Sequence, residues 1–477
     1  MFPDEVLLEI FGFCVAADED YIAKNEMEAC TAWQSLVHVC HRWRSIVFES
    51  PCRLNLQLVC TAETAARDML DVWPALPLVI QANIYNAEGR DNIIALLLEQ
   101  RDRVKRIDLY VPKFLYKPIL FALRRPFPEL TDMRLRLNNL RLPLLIEPMP
   151  PPDLFFSGSA PHLQFFSLDC LPFPDLPKLL FSATQLVHLH LWNLLTFRDP
   201  SPEAMATSLS ALINLESLCL TFPSFQFCSN YRYPPPVTPF VLPVLTSFEF
   251  KGASEYLDKL TARIDAPRLD YLKIYFFWQN AFDTPQFAQF ISRTPTLKAL
   301  GKAHVAFGDD TATVDFSSGT SGCGKLKMEL TQVYVKSSQL SSLGQVCTSC
   351  LPTLSTLEDL YIIYEFPNLK EWDSEPHDRA IVEKWLGLLR PFAAVKNLYL
   401  SEQVVPCIVP TLKELVGSRT TEVLPALQEI FLEQYQPSGS AQEGVENFAA
   451  FAAARQATNH PITVTQVRKK GGYSDCD

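Results

Sequence analysis

Leu186-Val187-His188-Leu189-His190-Leu191-Trp192 is the stretch on which the architecture turns. Its apolar residues stand at the first, fourth and sixth positions, and its second half alternates, which is the signature of a short strand with one buried face. The same spacing recurs along the chain. It reads Val104/Ile107/Leu109, Leu130/Met133/Leu135, Leu163/Phe166/Leu168, Leu215/Leu218/Leu220, Leu245/Phe248/Phe250 and Leu269/Leu272/Ile274. After a weaker stretch it returns as Leu357/Leu360/Ile362, Val395/Leu398/Leu400 and Leu427/Ile430/Leu432. From Val104 to Leu269 successive starts lie 26, 33, 23, 29, 30 and 24 residues apart.

That period is close to the 20–29 residues of leucine-rich repeats. Stacked units of this kind give an α/β fold, an irregular solenoid whose short strands form a curved parallel sheet, with helices or loops returning between them. Proline opens many units, at Pro128, Pro161, Pro243, Pro267, Pro295 and Pro425, where it starts the approach to a strand without breaking a ladder. The proline runs 147–152 and 233–239 read as extended loops. Near Leu297 and Leu326 the template fits poorly, and Lys302 takes an apolar position, so a longer insertion is expected there. A helix from Glu443 to Gln456 and a strand over 461–464 are expected to cap the last unit over 441–466, and 467–477 reads as a disordered tail.

The N-terminal end follows a different pattern. Pro3 suits the first turn of a helix, and Asp4 and Glu5 suit its positive dipole end. Val6, Leu7, Ile10 and Phe11 recur at helical spacing, as do Trp33, Leu36, Val37, Cys40, Trp43 and Val47. Two or three short helices follow, and so small a unit needs a partner for stability.

These residues resemble an F-box of the kind abundant in basidiomycete fungi. The resemblance extends through Asp71-Val72-Trp73-Pro74 and Asp91-Asn92-Ile93-Ile94 to Asp102-Arg103-Val104. Phe2 replaces the usual leucine before the proline, and an acidic insert, Asp18 to Glu28, lengthens the connection between the first two helices. The implied organisation is a helical F-box over 1–60, a linking segment over 61–103 and the repeat domain over 104–440. By this resemblance Pro3, Val6, Leu7, Ile10, Phe11, Trp33, Leu36, Cys40 and Trp43 supply the contacts to an Skp-type adaptor, some by packing the helices together.

Composition narrows the function classes. A 48% hydrophobic and 20% charged chain folds rather than staying disordered. Its net charge of −11 argues against a nucleic-acid partner. No apolar run is long enough to span a bilayer and no signal peptide is read, so a cytoplasmic or nuclear location without membrane contact is expected. Thirteen scattered cysteines fit a reducing compartment.

Motifs for chemistry are weak. Gly319-Thr320-Ser321-Gly322-Cys323-Gly324-Lys325 has phosphate-loop spacing, but Leu326 stands where magnesium needs a hydroxyl, and the following residues alternate like a strand where a helix N-terminus is required. Cys347-Thr348-Ser349-Cys350 lacks a second pair for zinc. No catalytic residue, metal or cofactor is therefore assigned. The site is a surface instead. Positions three, five and seven of each motif point away from the core, giving Phe165, His188, His190, Trp192, Tyr271, Tyr275, Tyr361, Tyr399 and Phe431 as target-binding candidates, with Glu249, Lys251, Lys273, Asp359, Glu429 and Glu433 among them. Such a receptor would join an adaptor, and through it a cullin, while its repeat face holds a target protein. The alternative is a non-catalytic repeat scaffold with no degradative role.

Overall fold

The computed structural model is a mixed α/β protein with a large, mostly parallel sheet of sixteen strands. It describes residues 2–468 apart from 23–31, 52, 63–69, 71–72, 74, 85–86, 139–155, 157–159, 170–175, 195–200, 223–238, 278–281, 299, 319–323, 332–335, 352–353, 355, 365–378, 416–418, 420 and 435–440. The chain divides into two compact units, residues 1–200 with 207–215, and residues 201–206 with 216–477.

The first unit begins with α1 (Asp4–Ile22), α2 (Ala32–Val37) and α3 (His41–Glu49). Strands β1 (Leu58–Cys60), β2 (Leu78–Asn83), β3 (Val104–Pro112), β4 (Asp132–Asn138), β5 (Phe165–Asp169) and β6 (His188–Trp192) follow, each parallel to the next. Helices α4 (Ala87–Glu99), α5 (Tyr116–Ala122) and α6 (Leu176–Ser182) occupy the returns. The sheet thus starts at Leu58 and not at Val104. Residues 61–103, read as a link, contribute a strand and a helix of their own, because Leu78, Ile80 and Ala82 are buried against the growing core as the later motifs are.

The second unit takes part of α7 (Pro202–Leu209) and continues with β7 (Ser217–Thr221), β8 (Phe240–Val241), β9 (Ser247–Gly252), β10 (Ile264–Asp265) and β11 (Tyr271–Phe277). β8 and β10 form a separate parallel pair, while β7, β9 and β11 lie side by side in the main sheet. The weak stretch of the motif is explained by a change of topology. β12 (Lys302–Phe307), β13 (Thr311–Ser317) and β14 (Lys325–Thr331) form an antiparallel meander inserted in reverse order, so that β14 runs parallel to β11 and β12 runs parallel to β15 (Asp359–Tyr364). β16 (Asn397–Ser401), β17 (Glu429–Gln434) and β18 (Thr463–Arg468) complete the parallel ladder. The returns carry α8 (Ser254–Thr261), α9 (Pro285–Arg293), α10 (Lys336–Ser349), α11 (Arg379–Leu389), α12 (Val405–Lys413) and α13 (Ala441–Ala457). Helix α13 and strand β18 are the expected terminal helix and strand, and β18 takes Val467 and Arg468 out of the stretch read as tail. Both proline runs, except Pro239, and most of that tail lie outside the described residues.

The prolines have a common geometric role. Pro128, Pro161, Pro243, Pro267, Pro295 and Pro425 each hold the second position of a four-residue turn whose last N–H donates to its first carbonyl, as Leu130 does to Phe127 (3.3 Å), Leu269 to Ala266 (3.2 Å) and Leu427 to Leu424 (3.1 Å). Proline suits that position because its fixed φ matches it and its missing N–H is not called on there. The turn delivers the chain to the sheet with the motif's apolar residues inward. Leu186, Leu189 and Leu191 are fully buried, as are Leu269, Leu272 and Ile274.

Gly324 shows why the glycine-rich stretch before β14 ends as it does. A Cβ there would lie 2.2 Å from the Thr296 carbonyl oxygen and 2.8 Å from its carbon. The next residues are strand and not helix, as their alternation predicts. Gly324→Ala is expected to destabilise the protein by about 2–3 kcal/mol, because backbone and not a flexible side chain must move. An unchanged urea midpoint would refute that close approach.

Candidate interaction surfaces

The three N-terminal helices divide the residues assigned to adaptor contact into two groups. Leu7, Phe11 and Trp33 are buried. Phe11 packs on the half-buried Trp43 with ring centroids 4.7 Å apart. Trp33 stacks edge-on against Trp73 at 5.1 Å and donates its indole N–H to the Gln57 carbonyl at 3.0 Å. These side chains fix the helices to one another and to the approach to β1. Leu36 is half-buried. Exposed Cys40 caps α3, its Sγ accepting the Trp43 N–H at 3.5 Å.

Pro3, Val6 and Ile10 face outward with Phe2 and Phe13. Val6, Ile10 and Phe13 lie along one stripe of α1, with Phe2 just ahead of its first turn, and exposures of 40%, 44% and 76%, with 64% for Phe2, make an apolar ridge open to solvent. Arg42 braces the start of the ridge, donating to the Asp4 carboxylate and to the Phe2 carbonyl, each at 2.6 Å. Arg53 pairs with Glu9 one turn further on.

On the open face of the first unit, Phe165, His188, His190 and Trp192 come together. Phe165 lies 5.6 Å from His188 and 5.2 Å from His190, and His190 lies 6.3 Å from Trp192. The Arg134 guanidinium sits 4.4 Å from the Phe165 ring centre, a cation–π contact. Asp108 pairs with Arg136 at 3.0 Å and with Arg134 at 4.0 Å. Burial, then the neighbouring His188 and Arg134 charges, depress the His190 imidazole from 6.5 to about 4.

The sign of the resulting pH effect follows directly. The unfolded imidazole takes up a proton near pH 6.5, whereas the folded one resists until about 4, so this contribution to stability is complete above 6.5 and is lost as pH falls towards 4. His190→Gln is expected to lose less thermal midpoint than the parent chain between those limits. Equal slopes would remove His190 as the cause.

In the second unit the open face is set by register. Glu249, Lys273, Lys327, Asp315, His304, Tyr361, Tyr399, Phe431 and Thr465 occupy successive paired positions across β9, β11, β14, β13, β12, β15, β16, β17 and β18. Four of these rings form a continuous stack. Centroid separations are 4.2 Å for His304–Tyr361, 4.1 Å for Tyr361–Tyr399 and 4.6 Å for Tyr399–Phe431, with interplanar angles of 3°, 7° and 11°. Burial raises the Tyr361 phenol well above its usual range, with Tyr399, Asp359 and Glu433 adding to it. Burial and the Asp359 charge raise Tyr399 likewise.

Tyr271 and Tyr275 stand apart from this stack. The Lys273 ammonium lies 4.8 Å from the Tyr275 ring centre, and Lys251 lies 6.0 Å from it and 5.6 Å from that of Phe277. The face therefore changes character across the unit. Lysines are interleaved with Glu249, Asp315 and Glu329 over β9 to β14, while Asp359, Glu429 and Glu433 surround the rings over β15 to β17. His304, Lys327 and Asp315 are members of these faces that the motif did not identify, while Arg134, at position five of the Leu130 motif, is placed on the face by it but is not among the named candidates. Alternation over Lys302-Ala303-His304-Val305, before the apolar run that follows, was the available signal for His304.

Cys347 and Cys350, one turn apart, are buried thiols, and the Thr284 hydroxyl donates to Cys350 Sγ at 3.0 Å. Burial pushes Cys350 up to about 12, the opposite of a thiolate prepared to bind metal. Among the described residues no three metal-ligating side chains gather, and no helix is long and apolar enough to cross a membrane. No known family model matches the chain, and no curated protein matches it significantly.

Proposed function

We propose that this chain is the substrate-recognition subunit of an Skp-cullin-F-box type ubiquitin ligase, with the N-terminal helices acting as the F-box and the later strands as an irregular leucine-rich-repeat solenoid. The observation that carries the reading is the solvent-exposed ridge of Val6, Ile10 and Phe13, with Phe2 just before them, on a helix whose other side, Leu7 and Phe11, is core. An apolar ridge of this kind on a small helical unit is suited to burial by a partner protein. The aromatic rows on the open strand face supply a second surface, suited to a target because stiff rings bury much area at low entropic cost.

In this role the chain breaks and makes no bond. It holds the target so that lysines are at high effective concentration near a conjugating enzyme recruited through adaptor and cullin. Its location would follow that machinery, in cytoplasm or nucleus. The test is co-expression of the full chain with a fungal Skp-type adaptor, read by size exclusion. Equimolar co-elution supports the receptor reading. Failure of a folded chain to co-elute would favour a scaffold without a degradative role.

A further inference from the structure

The ring stack differs from the other aromatic groups of the open face in its charge partners. Phe165 has Arg134 over it, and Tyr275 has Lys273. Among the described residues no lysine or arginine is placed over Tyr361, Tyr399 or Phe431. Three carboxylates nevertheless stand beside them. Asp359 is partly used, accepting from Asn397 Nδ2 at 2.8 Å and lying 3.9 Å from Lys302 Nζ. Glu429 and Glu433 have no ion-pair partner among the described residues.

The geometry at Phe431 is specific. Glu429 and Glu433 flank it at two-residue spacing on β17, and side chains two apart on a strand share a face. The stack covers one side of the Phe431 ring with Tyr399 and keeps the two planes within 11°. The other side looks towards β18, where the register partner is Thr465, too small to form a further ring layer. Among the described residues that side of the ring carries neither a second ring nor a cation, and it lies between two carboxylates. A ring face attracts cations, and a planar guanidinium can lie on it while its N–H groups reach carboxylates on either side.

We propose that strand β17 is the seat for an arginine side chain of a bound cationic peptide segment, stacked on Phe431 and hydrogen-bonded to Glu429 and Glu433. This rests on the reading of the open face as the target surface and names the chemistry of what it holds. Arginine is favoured over lysine because only the planar fork satisfies ring and carboxylates together.

The test pans a random twelve-residue display library on the full chain, with counter-selection on the folded triple variant Tyr361→Ala/Tyr399→Ala/Phe431→Ala. Fluorescence anisotropy then measures labelled (Gly-Arg)4, (Gly-Lys)4 and (Gly-Glu)4. Arginine-bearing peptides are expected to be enriched, and (Gly-Arg)4 to bind several-fold tighter than (Gly-Lys)4. Glu429→Gln/Glu433→Gln is expected to weaken (Gly-Arg)4 at least about tenfold, as loss of charge-assisted hydrogen bonds requires. The control Glu129→Gln/Glu216→Gln removes the same net charge from exposed positions elsewhere and is expected to change binding little. Equal effects of the two double variants would overturn the seat, reducing it to attraction by a chain of net charge −11. Stack-dependent enrichment of acidic or apolar peptides would overturn the cationic class while leaving the open face as a target surface. The absence of any stack-dependent enrichment would overturn both.

Discussion

Val6→Glu combined with Ile10→Glu is expected to abolish co-purification with an Skp-type adaptor, a loss of about a hundredfold or more in affinity, while leaving the thermal midpoint close to that of the parent. Both side chains lie on the exposed ridge, 40% and 44% accessible, so exchange changes little within the fold. Surface substitutions of this kind stay within about 0.5 kcal/mol. In a buried interface the same carboxylates would be desolvated without partners, and two central positions at about 2 kcal/mol each would account for the loss. Position matters here. Leu7 and Phe11 are buried and Trp43 packs on Phe11, so alanine at these sites would weaken the helices themselves and confuse docking with folding. Trp33 extends the same concern to the rest of the unit, since it joins the helices to Gln57 and Trp73. A Val6→Glu/Ile10→Glu chain that co-elutes with adaptor as well as the parent would remove the ridge as the docking surface.

Much of the strand framework was legible because burial repeats with it. Each of the ten Leu-x-x-Leu-x-Leu motifs lies at a strand of the sheet, and the residues at positions one, four and six are in the core at all of them. Proline position was equally informative, since the turn geometry it favours recurs at six strand entries. What escaped the motif escaped for definite reasons. β1 buries alternating residues and β2 buries three in a row, but both lack the Leu-x-x-Leu spacing, so their membership depends on the pairing of β1 with β2 and of β2 with β3. The meander β12 to β14 places an antiparallel pair where the period expects a parallel step, and a repeat template carries no information on strand direction. His304 was hidden by that same reversal, although it forms the first ring of the stack. The surface candidates were legible only as a face. Which rings touch depends on register between strands 38 and 32 residues apart, as for Tyr361 with Tyr399 and Tyr399 with Phe431, and spacing alone does not fix it.

Trp385→Ala is expected to cost about 3–5 kcal/mol, the largest single loss among core substitutions in the second unit, because it removes a fully buried indole that no neighbour can replace. Trp385 lies on α11 and meets Phe307 edge-on at 5.9 Å, and Phe307 in turn lies 5.9 Å from Tyr364. Phe307 and Tyr364 belong to β12 and β15, whose opposite face carries His304 and Tyr361. The indole therefore supports the stack from behind the sheet. Loss of volume here should let the two strands shift relative to each other, and rings held 4.2 Å apart within 3° would respond to small displacements. The expected result is a lowered urea midpoint with an unchanged slope, together with reduced near-ultraviolet dichroism from the stacked tyrosines under conditions where the chain is still folded. Trp385→Phe should recover most of the stability, since it refills most of the space with a ring. A loss below about 1 kcal/mol in the alanine variant would mean that α11 does not seal this part of the sheet, and with that the stack would have to owe its order to its own ring contacts alone.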